Sequence, residues 1–285
     1  MRILRPFILL LSFCLLTLPA FNSVALADDA PVKVKFVGYI VQGAKPLTDD
    51  IKWSIAPVSK DGTAAQQMTK ASPEVQLVPG KYRVTATLGF ATVTRDITVS
   101  DAGKQELVFD AGWARFQMIP GQKAKPIQDN VHWTIYRYSK GGVDESQKIT
   151  ELDAPSPQLT LPPGWYTVRG QYQGIIVEAV EEVKAGTLYK YTMVAYAGKA
   201  TFTAVDTKGK TVKKGAVWTI ERQAKNSGGK RVPVTTDSSA SPSLLMGEGK
   251  YVVVVKVGDL IGEAPFDVKA TRDQTVTVKL KPAEG

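Results

Sequence analysis

Residues 77–84 read LVPGKYRV, residues 161–168 read LPPGWYTV, and residues 246–253 read MGEGKYVV. Other landmarks return with them in the same order. Trp53-Ser54-Ile55, Trp133-Thr134-Ile135 and Trp218-Thr219-Ile220 recur at intervals of 80 and 85 residues. Ser72-Pro73, Ser156-Pro157 and Ser241-Pro242 recur at 84 and 85, as do Gly80, Gly164 and Gly249. A fixed internal period constrains architecture before any single residue does. Solenoid repeats of about 20–45 residues need neighbours to complete their cores, whereas a unit of this length can enclose a small core of its own. The pattern therefore predicts three tandem domains, 28–112, 113–198 and 199–285, with boundaries near Gly112 and Gly198.

Within each unit the hydrophobic period is two, which marks strands. Tyr82, Val84, Ala86 and Leu88 share one face, with Lys81, Arg83, Thr85 and Thr87 on the other. Tyr251, Val253, Val255 and Val257 repeat the arrangement, and Ile51, Trp53 and Ile55 alternate likewise. Helix signals are sparse, and turn pairs such as DG, GG and PG separate the strands. An all-β fold follows: three antiparallel β-sandwiches of about seven short strands each. The paired Trp and Tyr of each unit are read as core, because inward strand positions are buried by default.

The stretch VDTKGKTVKKGAVWTI at 205–220, followed by GEGKYVVVV, resembles the carboxypeptidase regulatory-like (prealbumin-like) β-sandwich of bacterial envelope proteins. LPPGWYTVRGQYQG at 161–174 resembles the latter half of that pattern, and immunoglobulin-like sandwiches share its cues. The resemblance implies an accessory, binding or spacer module without catalysis. Glu248-Gly249 replaces Pro-Gly in the third unit, and the first two units lack the DTKGK turn.

Residues 1–27 read as a signal peptide. Arg2 and Arg5 precede the apolar run FILLLSFCLLTL, and Ala25-Leu26-Ala27 supplies small residues for cleavage. A retained anchor is the rival reading; Cys14 follows Phe13 rather than the small residues of a lipoprotein site. The mature chain would hold no cysteine, so its stability must come from packed cores rather than disulfides. No later segment has transmembrane length. A periplasmic location is expected, with full secretion as the alternative.

Chemistry-bearing residues are few. His132 is the single histidine, and no cysteine remains for a nucleophile or a Cys/His zinc site. Alternation points His132 outward beside Trp133, and no oxyanion motif accompanies it. Glu178, Glu181 and Glu182 form the densest acidic group and Asp49-Asp50 another, candidate carboxylates for a glycosidase-type site that sit beside or between strands, where charges usually form solvated faces. Calcium-loop, P-loop and dinucleotide motifs are lacking. No enzyme activity and no cofactor or metal are expected.

Binding is the remaining class. The third unit carries fifteen basic and nine acidic residues, whereas the first two are close to balance. Lys208, Lys210, Lys213 and Lys214 form one basic loop, and Lys225, Lys230 and Arg231 lie in another. Such an end suits an anionic envelope glycan or lipid, or protects strand edges; nucleic acid is not expected. Trp165 occupies the outward slot filled by Lys81 and Lys250, and Trp113 and Tyr138 add aromatic candidates in the same unit. Exposed aromatics stack on sugars, anchor a protein partner or pack on a neighbouring domain. The leading expectation is a non-enzymatic structural, spacer or protein-binding module of the cell envelope. The alternative is a glycan-binding module for peptidoglycan or lipopolysaccharide.

Overall fold

A computed structural model describes residues 30–58, 64–223 and 231–283. The leader and the basic residues Lys225 and Lys230 lie outside the described residues. The chain forms tandem β-sandwiches, each made of a three-stranded sheet packed on a larger one. In the first, β1 (Val32–Tyr39) lies between β4 (Glu74–Leu77) and β7 (Gly103–Val108). The facing sheet runs β3 (Gln66–Thr69), β2 (Lys52–Pro57), β5 (Gly80–Leu88), β6 (Ala91–Val99).

The second sandwich repeats this order. β8 (Gly112–Ile119) sits between β11 (Gln158–Leu161) and β14 (Leu188–Val194). Facing them are β10 (Lys148–Ala154), β9 (Val131–Arg137), β12 (Gly164–Tyr172) and β13 (Ile175–Val183). In the third, β15 (Ala197–Val205) lies between β18 (Ser243–Gly247) and β21 (Asp273–Lys279). The facing sheet runs β17 (Arg231–Asp237), β16 (Val217–Gln223), β19 (Gly249–Val257), β20 (Leu260–Val268), with β22 (Lys281–Pro282) added at its edge.

The first strand of every unit pairs in parallel with the last long one: β1 with β7, β8 with β14, and β15 with β21. This departs from the wholly antiparallel expectation. Alternation tells which side chains share a face, and it carries no information on strand direction.

The repeated residues are the fastenings of three separate cores. Trp53, Trp133 and Trp218 are buried, each beside a Phe of the first strand: Phe36, Phe116 and Phe202, with ring centroids 5.7–5.9 Å apart. Each indole N–H donates to a main-chain carbonyl at or just past the end of the third strand: Lys70 at 2.8 Å, Ala154 at 2.9 Å and Ser239 at 2.9 Å. A buried indole without an acceptor would cost about 1–3 kcal/mol, so the carbonyl fixes the ring's orientation as well as its satisfaction.

The tyrosines of Gly-x-Tyr-x-Val reach back by their hydroxyls to the carbonyl four residues earlier. Tyr82 donates to Val78 at 2.7 Å, Tyr166 to Pro162 at 2.5 Å and Tyr251 to Gly247 at 2.8 Å. Each Ser-Pro serves too: the carbonyls of Pro73, Pro157 and Pro242 accept the N–H of Phe36, Phe116 and Phe202. The motif thus ties the turn, the first strand and the core together in every copy.

The joints between sandwiches are also copies. Ala111 C=O accepts Gly186 N–H at 2.8 Å, and Ala197 C=O accepts Thr271 N–H at 2.8 Å. The residues before these alanines, Asp110 and Tyr196, both adopt left-handed backbone, at φ +47° and +46°. Gly112 and Gly198 follow, where a Cβ would sit 2.2 Å from the Lys184 carbonyl oxygen and 2.3 Å from that of Lys269. Only glycine admits such close main-chain approach. The packing partners exchange size: Val41 meets Gly186 at the first joint, and Gly121 meets Thr271 at the second.

Candidate functional site

Two of the three aromatic candidates come together. β9 and β12 are antiparallel with Arg137 opposite Tyr166, which brings the next residue, Tyr138, beside Trp165. Tyr138 N–H donates to Trp165 C=O at 3.0 Å. Both rings lie on the sheet face away from the core and are about half exposed, Trp165 at 52% and Tyr138 at 47%. Trp165 stands across from Glu182, with exposed Val180 two residues along the same face of β13. Trp113 is elsewhere: it is half-buried on β8 and packs on the core of the first sandwich. Its position is a joint contact, separate from the Tyr138–Trp165 pair.

The rest of that outer face is polar and internally paired. Tyr136 points away from the core yet is buried, because the loop holding the short 3₁₀ turn Glu145–Gln147 folds over it. The Tyr136 hydroxyl donates to Glu145 Oε1 at 3.1 Å, and burial, followed by that hydrogen bond, pushes its pKa up. The Arg169 guanidinium lies 5.6 Å from the Tyr136 ring centre and donates from Nε to Glu178 Oε1 at 2.6 Å. That bond raises the Arg169 pKa further.

The acidic group does not converge. Glu178 is held by Arg169, and Glu182 pairs with Lys184 at 3.2 Å. Glu181 lies on the opposite, inner face across from Tyr166, where desolvation raises its pKa. Alternation along β13 puts Glu181 on the opposite face from Glu178 and Glu182, and those two, four residues apart at about 3.3 Å per residue, stand roughly 13 Å apart, so none of the three faces another as a glycosidase pair does. Asp49 and Asp50 are exposed in the loop before β2. His132 is half-exposed and engaged: its Nδ1 lies 2.9 Å from Asp153 Oδ1 on the neighbouring strand. Among the described residues no three His, Cys, Asp or Glu cluster as a metal site would need.

The basic loop is built on one carboxylate. Asp206 Oδ1 accepts the N–H groups of Lys208 at 2.8 Å and Lys210 at 2.9 Å, with Gly209 left-handed between them. Lys208, Lys210, Lys213 and Lys214 are all exposed. Arg231 is instead engaged on the sheet's outer face, 3.0 Å from Glu263 and 3.7 Å from Glu221. The sequence reading missed a cleft of about 640 Å³ between the second and third sandwiches, lined in part by Ile176, Tyr196, Val234 and Leu245. One signal was present: Tyr196-Ala197-Gly198 stands where the first joint has Asp110-Ala111-Gly112.

No helix among the described residues is long and apolar enough to cross a membrane. The molecule belongs to the structural class of tandem β-sandwich repeat proteins. No protein-family model matches the chain. No curated protein matches it either. Similar solved structures include the Bacillus anthracis TIE protein, at 16% identity and TM-score 0.25, over 88% of this chain. The chain spans about half of that protein's length, 51%. A streptococcal ancillary pilin matches at 13% identity and TM-score 0.31, over 89% of this chain and 100% of the pilin. The shaft pilin SpaA of Lactobacillus rhamnosus GG matches at 14% and 0.31, over 61% and 98%. Likeness this distant bears on no partner or assembly of this chain.

Proposed function

We propose that the chain is an exported, non-enzymatic spacer of the cell envelope, whose three sandwiches (28–112, 113–198 and 199–285) stand in a fixed line and hold or space a protein partner. The carrying observation is the duplicated joint. At both, a left-handed residue, an alanine carbonyl and a crowded glycine lock consecutive units through main-chain bonds. Free beads would need none of these, and no flexible linker of the Gly/Ser type separates the units. The leader pattern at 1–27 supports export, with the periplasm as the proposed compartment and secretion as its alternative. The strand, Gly-turn and Gly-x-Tyr-x-Val order supports a carboxypeptidase regulatory-like unit. Small-angle scattering tests the spacer: one stiff elongated particle is expected, and the profile of a flexible string of beads would refute it.

The Tyr138–Trp165 pair favours a second reading, glycan binding. Two half-exposed aromatic side chains on adjacent strands of one face suit a sugar face, and the basic loop of the third unit would attract anionic glycan or lipid headgroups. Peptidoglycan and lipopolysaccharide fragments, titrated against Trp fluorescence, test it. Binding that Trp165→Ala weakens about tenfold or more supports it; unchanged affinity in that variant ends it.

A further inference from the structure

The two joints are built from the same parts and differ in one respect that points to a ligand. At the first, the β5–β6 hairpin docks on β11 by main chain, Phe90 N–H donating to Thr160 C=O at 3.0 Å. At the second, the equivalent edge residue, Leu245, has its N–H taken by a hairpin side chain instead: it donates to Gln173 Oε1 at 2.9 Å, while the Leu245 side chain packs against the second core. The cleft of about 640 Å³ lies alongside.

The residues change in step. Hairpin register makes Thr92 of the first joint equivalent to Ile176 of the second, since Leu88–Ala91 and Tyr172–Ile175 close the two turns. Asp110 is likewise equivalent to Tyr196. Polar residues at one joint are thus replaced by large apolar ones at the other, and these are not buried: Ile176 is 57% exposed, Tyr196 51%, and nearby Val234 44%. Asp tolerates the left-handed conformation of this position; an aromatic residue does so at a cost. The left-handed backbone serves the joint with either side chain, as Asp110 shows at the first; what the joint does not require is a large ring standing half in water at Tyr196.

Two sheet edges border the same cleft. β18 and β17 are the outer strands of their sheets, and Leu245 and Val234 on them line it. Among the described residues no strand lies beside the main-chain row of β18 that faces away from β15; in that row the Gln173 amide oxygen takes the Leu245 N–H and the Tyr251 hydroxyl takes the Gly247 carbonyl, which leaves the Leu245 carbonyl and the Gly247 N–H facing the cleft. Arg222 and Glu248 at the rim carry opposite charges.

We propose that this cleft binds an extended, uncharged polypeptide segment, which pairs with the outer edge of β18 through the Leu245 and Gly247 main chain. Every second side chain of the segment packs on Tyr196, Ile176 and Val234. Its carbonyl takes the Leu245 donor that Gln173 holds in the free protein. A main-chain edge selects peptide over lipid or glycan, because only another main chain offers donors and acceptors at strand spacing. The balanced rim favours a segment without net charge. This site is additional to the spacer role and independent of the Tyr138–Trp165 platform.

The probe is a fluorescein-labelled peptide of alternating valine and threonine, followed by anisotropy with the whole mature chain. Saturable binding is expected, with slowed amide exchange in β18. Tyr196→Asn should weaken it about tenfold, while keeping the circular dichroism of the parent, because Asn accepts the left-handed backbone. Asp110→Asn, the same change at the other joint, should leave affinity unaltered. No binding up to about 1 mM peptide, or equal binding by Tyr196→Asn, would overturn the proposal.

Discussion

Replacing Trp133 by Phe tests how the sandwiches are held together. Trp133 is fully buried, its indole N–H donates to Ala154 C=O, and its ring lies against Phe116 and Gly170. Phe removes the donor and leaves the Ala154 carbonyl without this partner, which costs about 1–3 kcal/mol. The smaller ring also leaves a void; at about 24 cal/mol per Å³, a few tens of Å³ adds about 1 kcal/mol. The sum is roughly 2–4 kcal/mol, a large share of the about 5–10 kcal/mol such a unit has in all. For a domain this size each kcal/mol moves the midpoint by about 4–8 °C, so the middle unit should melt at least about 8 °C earlier.

Differential scanning calorimetry reads this directly. The transition of the middle unit should drop, while those of the outer units move much less, because Phe36 and Phe202 pack on their own tryptophans. Trp165→Phe on the exposed face is the control and should stay within about 0.5 kcal/mol of the parent. A loss below about 0.5 kcal/mol in Trp133→Phe, or an equal shift of every transition in one cooperative unfolding, would refute the reasoning.

Three further outcomes follow. Gly121→Val places a side chain where even an added Cβ would sit 2.1 Å from Thr271 Cγ2; the second joint should loosen, raising amide exchange at Thr271 without lowering the stability of either unit by more than about 1 kcal/mol. Burial raises the Glu181 pKa, so its contribution is intact at acid pH and is lost as pH rises through the folded value. Glu181→Gln should therefore raise the melting temperature at neutral pH and leave it unchanged near pH 3; equal effects at both would contradict the assignment. Gly198→Ala drives a Cβ to 2.3 Å from the Lys269 carbonyl oxygen, and thermal scans should show a loss of about 2 kcal/mol or more.

Strand positions and core faces were legible in the sequence because burial on one side imposes a period of two. Trp53, Trp133, Trp218 and the strands opened by Gly-x-Tyr-x-Val lie where alternation puts them. The parallel pairing of the first strand with the last long one was not legible, since it depends on how the chain crosses between sheets. The Tyr hydroxyl bonds to Val78, Pro162 and Gly247 escaped as well: periodicity assigns a face and is silent on what a polar tip reaches.

Outer-face burial was equally hidden. Tyr136 reads as an exposed position and is covered by a loop that no alternation rule describes. Trp113 is different: packing on a neighbouring domain is one of its sequence readings, and it is half-buried against the first core. Arg231 reads as part of a free basic cluster and is bound to carboxylates brought beside it by β16 and β20. The pairing of Tyr138 with Trp165 required the register of β9 and β12. The cleft required comparison of the two joints, where Tyr196 replaces Asp110.

Fixed alignment of the three sandwiches is tested most directly by a spin–spin distance between the first and third units. Labels on exposed Thr98 of β6 and exposed Asp267 of β20 span both joints. A single narrow distance distribution, broadened by Gly121→Val, is the expected result. A distribution already broad in the parent chain would show that the joints do not hold, and the spacer account would fall with them.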